Sequence, residues 1–132
     1  MGSARDGWPG NTGEGGGLAV DVRPGPEPGV MVVAVTGELD HDTAEPLRTA
    51  LDDTLAGGAR RILVDCSELL FCDSTGLNLL LRARLAAKET GARIELAALR
   101  PQVARMLAIT GAGAVFHRYA SLGEALAEPR QE

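Results

Sequence analysis

Leu63-Val64-Asp65-Cys66-Ser67-Glu68-Leu69-Leu70-Phe71-Cys72-Asp73-Ser74-Thr75-Gly76-Leu77 decides how this chain is read. Ile62-Leu63-Val64 is an apolar run too short to span a membrane, which predicts a buried strand over Arg61 to Cys66. Leu77 to Ala87 is apolar at helical spacing, and Gly91 follows as a C-terminal stop, so a helix is expected from Ser74 or Thr75 to Thr90. Between them, Asp73-Ser74-Thr75-Gly76 has the composition of a helix N-cap with two spare hydroxyls. The connection from Asp65 to Gly76 then leaves the carboxyl end of a buried strand, where α/β folds place their sites.

Working outward from that turn, Leu18 to Arg23 and Val30 to Val35 read as two strands separated by Pro24-Gly25-Pro26-Glu27-Pro28-Gly29, an antiparallel hairpin. Thr36 to Asp40 is expected to leave the second strand. Asp42 with Glu45 has the form of a capping box for a helix carrying Leu47, Leu51 and Leu55, with Pro46 in its first turn and Gly57-Gly58 at its end. Beyond the central helix, Arg93 to Ala98 reads as a strand, Pro101 to Gly111 as a helix, and Val115-Phe116 as a short fifth strand. Ser121 and Glu124 form a second capping box, for Leu122 to Ala127. The order β-β-α-β-α-β-α-β-α, without repeats, predicts an α/β fold: a mixed sheet, parallel from the third strand onward, with helices packed on it.

The 132 residues are enough for one domain, expected at 18–128 between a Gly-rich flexible tail at 1–17, which holds the only tryptophan, Trp8, and a short C-terminal tail at 129–132. Aromatic residues make up 3%, so the core must be aliphatic, as suits helices on a sheet. A net charge of −5 gives no electrostatic reason to bind nucleic acid or an anionic membrane. Without a signal-peptide pattern or an apolar stretch near eighteen residues, a cytoplasmic protein is expected. Cys66 and Cys72 stand at no metal-finger spacing from His41 or His117, so no metal is expected and both thiols read as small core hydrophobes. A helix N-terminus beside Cys72 leaves a reactive thiol as the other reading of that residue.

Ser74 admits three chemistries. A plain cap needs only the turn. A catalytic serine would need an elbow of the G-x-S-x-G type and a base, and the sequence supplies neither. A phosphoacceptor fits because unpaired first-turn N–H groups and the helix dipole favour negative charge there, by about 0.3–1 kcal/mol. On the helix itself, Leu79, Leu80, Ala83, Ala86 and Ala87 share the arc expected to face the sheet. Leu77, Leu81 and Leu85 fall on another line, between Asn78 and Arg82 on one side and Arg84 and Lys88 on the other. That line is either an exposed binding ridge or is covered by a neighbouring helix.

At these residues the chain resembles the STAS family, the domain shared by anti-sigma-factor antagonists and the cytoplasmic ends of sulphate transporters, and is most similar to stand-alone bacterial antagonists. Gly37-Glu38-Leu39-Asp40 with Thr43-Ala44, Leu63-Val64-Asp65 through Leu77, and Pro101-Gln102-Val103 through Gly111 carry the likeness. Thr75 stands where many members have a second serine, and Cys72 where a larger apolar residue is common.

The resemblance implies a non-enzymatic partner switch without cofactors. Ser74 is the implied phosphoacceptor, Asp73, Thr75 and Gly76 its switch loop and cap, and Asp40, Leu77, Asn78, Leu81 and Arg82 the partner-binding residues. Its implied partners are an anti-sigma factor that is also a serine kinase and a phosphatase that resets the serine, with the protein itself a monomer or weak dimer. The alternative is a STAS-like module that binds a nucleotide or another small ligand.

Overall fold

The computed structural model describes residues 17–128; the tail expected at 1–17, apart from Gly17, and the tail expected at 129–132 lie outside the described residues. The chain runs β1 (Leu18–Pro24), β2 (Val30–Leu39), α1 (Ala44–Ala56), β3 (Arg61–Cys72), α2 (Ser74–Glu89), β4 (Arg93–Ala97), α3 (Pro101–Thr110), a 3-10 turn at Ala112–Ala114, β5 (Arg118–Tyr119) and α4 (Leu122–Ala127). The five strands form one sheet in sequence order, with β1 antiparallel to β2 and every other neighbour parallel.

Strand alternation sorts the side chains to two faces. Val33, Val64 and Leu96 lie in register across β2, β3 and β4, as do Met31, Ile62 and Ile94 one row earlier. On that face α1, α2 and α3 bring Leu47, Leu51, Leu77, Leu80, Val103 and Leu107 against Val33, Val64 and Leu96 in one continuous core. Burying each large aliphatic side chain is worth about 1.5–3 kcal/mol. The opposite face carries a smaller cluster, in which Ala125 of α4 packs on Val30, Leu63 and Ala97, with Tyr119, Leu122 and Leu126 around it. Next to this cluster the buried Arg61 donates to Glu95 Oε1 at 2.8 Å and to the carbonyl of Ala125 at 2.8 Å, tying α4 to the sheet through a desolvated ion pair.

Four expectations are corrected. β2 continues to Leu39 rather than ending at Val35, and β3 continues to Cys72 rather than ending at Cys66. The pairing shows why: between Ala34 and Thr36, and again between Gly37 and Glu38, β3 inserts one extra residue, and these bulges break the alternation that marks a strand. The fifth strand is Arg118–Tyr119; Val115 is exposed after the 3-10 turn, while Phe116 is a core residue. α1 begins without an Asp42 cap, since its N-cap is Thr43. The Ser121 cap does form, its hydroxyl accepting from the N–H of Glu124 at 3.0 Å.

Candidate functional site

The turn between β3 and α2 is built from three interlocking contacts. Asp73 is the N-cap, and its Oδ1 accepts from the N–H of Gly76 at 2.9 Å, satisfying one orphan donor of the first turn. The N–H of Asp73 donates to the carbonyl of Leu39 at 3.1 Å, fastening the start of α2 to the end of β2. Gly76 lies against the core: a Cβ there would stand 2.6 Å from Leu39 Cγ and 3.0 Å from Cys72 Sγ. A side chain at this position has no room, so glycine lets the helix seat directly on the two strand ends.

A second turn supports the first. Thr43 Oγ1 donates to the carbonyl of Glu38 at 2.7 Å and accepts from the N–H of Asp40 at 2.9 Å. Asp40 Oδ1 in turn accepts from the N–H groups of Asp42 and Thr43 at 3.0 and 3.1 Å. Gly37, at φ +112°, sits where a Cβ would strike the carbonyl of Gly17 at 2.2 Å. The Gly37-Glu38-Leu39-Asp40 and Thr43 segment thus fixes the strand end from which the Asp73 turn hangs. Asp40, expected at the partner surface, is half-buried and spends its carboxylate on this turn.

Ser74 is the first residue of α2 and is exposed; among the described residues its hydroxyl forms no hydrogen bond. The capping hydroxyl suggested by the sequence is therefore not used: the Asp73 carboxylate caps, and Ser74 is left free. Thr75 is half-buried and lines a groove of about 490 Å³ between α1 and α2, together with Arg48, Asn78 and Arg82.

The predicted leucine ridge is not an exposed line. Leu77 is 6% exposed and belongs to the core, Leu81 is half-buried against it, and only Leu85, at 56%, faces solvent. Each step of four residues advances about 40° around a helix, so the line walks out of the core instead of running along one face. Ser74, Asn78 and Arg82, offset by one position, make the exposed line instead. Ala86, expected to face the sheet, is exposed too.

Sequence reasoning missed Leu70 and Phe71, which are 43% and 48% exposed at the end of β3, just before Ser74. They fall in the stretch expected to be a loop; the signal in the sequence is the unbroken apolar run Leu69-Leu70-Phe71-Cys72, of which only Leu69 and Cys72 are buried. Their strand edge is open because β4 pairs with β3 only as far as Asp65. Arg100 and Gln102 seal it by donating to the carbonyls of Ser67 and Leu70 at 3.0 and 3.1 Å.

Both thiols are buried, and desolvation pushes Cys66 and Cys72 up to about 12, with the Asp65 and Asp73 charges adding to it. Cys72 is thus held as a neutral thiol behind Gly76. Among the described residues no cluster of His, Cys, Asp or Glu could hold a metal, and no helix is long and apolar enough to cross a membrane.

Comparison with known proteins agrees with this architecture. A family model described as "Mlab, STAS domain" matches residues 24–118. An anti-sigma F factor antagonist of Paenibacillus polymyxa is 29% identical over 101 residues, covering 76% of this chain and 86% of the relative. The crystal structure of an anti-sigma factor antagonist from Mycobacterium paratuberculosis superposes with a TM-score of 0.70 at 29% identity, over 83% of this chain and 91% of the other. The unphosphorylated form of the anti-sigma factor antagonist SpoIIAA gives 0.69 at 26%, over 82% and 93%. With a model match across most of its length and the sheet order and helix placement described above, the chain belongs to the STAS domain family.

Proposed function

We propose that this protein is an anti-sigma-factor antagonist, a regulatory binding protein controlled by phosphorylation of Ser74. The observation that carries the reading is an exposed, unengaged serine at the first position of a helix whose cap is supplied by a different residue, Asp73. Phosphorylation there removes no contact that holds the fold. It adds about 1.5–2 negative charges where first-turn N–H groups and the helix dipole tolerate them. The names of the relatives, anti-sigma factor antagonists, support the same class.

In this scheme the unphosphorylated protein docks an anti-sigma factor with serine kinase activity, using the exposed line Ser74, Asn78 and Arg82, the groove lined by Thr75 and Arg48, and the apolar pair Leu70 and Phe71. The kinase spends ATP on Ser74, the new charge at the centre of the contact ejects it, and a serine phosphatase restores the hydroxyl. The chain contributes no catalytic group to either reaction. At the switch turn nothing favours the alternative of a nucleotide site.

The test is incubation with an anti-sigma factor kinase and Mg-ATP, read by intact mass and by binding. One phosphate on the wild type, none on Ser74→Ala, and weakened kinase binding by Ser74→Asp are expected. Equal phosphorylation of Ser74→Ala refutes the site.

A further inference from the structure

At the far end of α2 from Ser74, a cleft of about 270 Å³ opens between the last turns of α2, the edge of β4 and the segment entering β5. Its lining is unusual for a protein of net charge −5. Arg84 and Lys88 reach it from α2 and Arg93 from β4, with His117 and Val115 opposite. The only carboxylate in the lining, Glu95, is already engaged by Arg61 at 2.8 Å and Arg93 at 3.4 Å. Among the described residues neither Arg84 nor Lys88 forms an ion pair, although they stand four residues apart on one helix, a like-charge spacing that costs a few tenths of a kcal/mol.

A backbone donor points the same way. β5 pairs with β4 only at Leu96 and Ala97. The N–H of Leu96 donates to the carbonyl of His117 at 3.0 Å and that of Ala98 to Tyr119 at 2.9 Å. The alternation of the ladder turns the N–H of Ile94 to the same edge, before pairing with β5 begins, and no acceptor meets it among the described residues. Ile94 is itself part of the cleft lining. Two unpaired cations, Arg84 and Lys88, together with Arg93, which is shared with Glu95, and a backbone N–H that meets no acceptor among the described residues supply the donor set of an oxyanion site around a small concavity.

We infer that this cleft binds a compact phosphate-bearing small molecule, of the size of pyrophosphate or a small phosphomonoester, through Arg84, Lys88, Arg93 and the N–H of Ile94. The site is separated from Ser74 by about 20 Å along α2 and stands whether or not Ser74 is the switch.

Calorimetry with sodium pyrophosphate at constant ionic strength tests it, alongside glycerol phosphate and vesicles of phosphatidylcholine with phosphatidylglycerol. Saturable one-to-one binding of pyrophosphate is expected, weakened at least tenfold by Arg84→Glu with Lys88→Glu. The pair Arg23→Glu with Arg105→Glu, which changes the net charge equally on other exposed surfaces, is expected to bind as wild type. The amide resonance of Ile94 is expected to shift on titration. No binding at 10 mM pyrophosphate (about 2.7 kcal/mol by the affinity scale), equal loss in both double variants, or binding to vesicles without binding to either soluble phosphate overturns the inference.

Discussion

Replacing Gly76 by alanine tests the geometry on which the switch turn rests. The added methyl would lie 2.6 Å from Leu39 Cγ, 2.9 Å from Leu39 Cδ2 and 3.0 Å from Cys72 Sγ. Carbon atoms pack best at about 3.5–4.0 Å, so the overlap with Leu39 approaches 1 Å. Leu39 is fully buried, and its Cγ is a branch point that cannot withdraw without carrying both methyls into the surrounding core. Overpacking of this kind costs about 1–3 kcal/mol. Alanine returns up to about 1 kcal/mol of helix propensity, less in a first turn than in a helix interior. The expected net effect is a loss of about 1–2 kcal/mol, with the start of α2 displaced and the Asp73 cap weakened. Urea denaturation followed by circular dichroism measures it. A double-mutant cycle assigns the cause: Leu39→Ala alone should cost about 2–5 kcal/mol, but Gly76→Ala added to it should cost little, giving a coupling of about 1 kcal/mol or more. A Gly76→Ala variant as stable as wild type, or an additive cycle, refutes the reasoning.

Three further outcomes follow from the same contacts. Arg61→Met leaves Glu95 buried with only Arg93 and the Tyr119 hydroxyl nearby, and should cost about 3–5 kcal/mol by chemical denaturation, much of it recovered in the double variant Arg61→Met with Glu95→Met. Asp73→Ala removes the cap of α2 and should cost about 1 kcal/mol while increasing hydrogen exchange at Gly76 N–H, whereas Ser74→Ala should leave stability within about 0.5 kcal/mol of wild type. The thiols of Cys66 and Cys72 are raised from 9.0 to about 12 in the folded state, so the unfolded chain ionises first as pH rises. Their stabilising contribution is complete below pH 9 and falls between pH 9 and 12, by about 1.4 kcal/mol per pH unit for each thiol. Urea midpoints at pH 8 and 10 should differ less in a Cys66→Ala, Cys72→Ala variant than in wild type.

The hairpin, the helix over Pro101 to Thr110 and the Ser121 cap were legible because each depends on local chemistry: breakers between two apolar runs, proline at a helix start, a hydroxyl three residues before an acid. The carboxyl half of β3 was not, because its bulges exist only in its pairing with β2. The true fifth strand was hidden for a related reason. Arg118 and Tyr119 have no apolar pattern and are a strand only because β4 offers them an edge, while the apolar Val115-Phe116 next door divides between solvent and core. The periodicity of α2 located its buried arc, through Leu79, Leu80, Ala83 and Ala87, but not where that arc ends. Leu77 lies at its margin, and only packing against the strand ends places it inside. The motif around Ser74 marked the start of α2; which side chain caps it and which is left free required the Asp73 to Gly76 hydrogen bond.

The bulged extension of β3 also explains how one added charge is able to act as a switch under the proposed function. Because β3 outruns β4, its last residues project past the body of the sheet with β2 on one side only. Leu70, Phe71 and Ser74 are each exposed at this end of β3 and the start of α2, next to the turn held by Asp73, Gly76 and the Asp40 to Thr43 segment. A surface fixed in advance loses little conformational freedom when it binds, so affinity rests on complementarity and not on induced ordering. The hydrogen bonds that hold the turn would also resist its moving aside to accommodate a phosphate. A hundredfold loss of affinity requires about 2.7 kcal/mol, and like charge forced into a contact costs several. Under the proposed function, phosphorylation would therefore need to move no part of this fold: an anion in the middle of such a contact would be sufficient to release the partner.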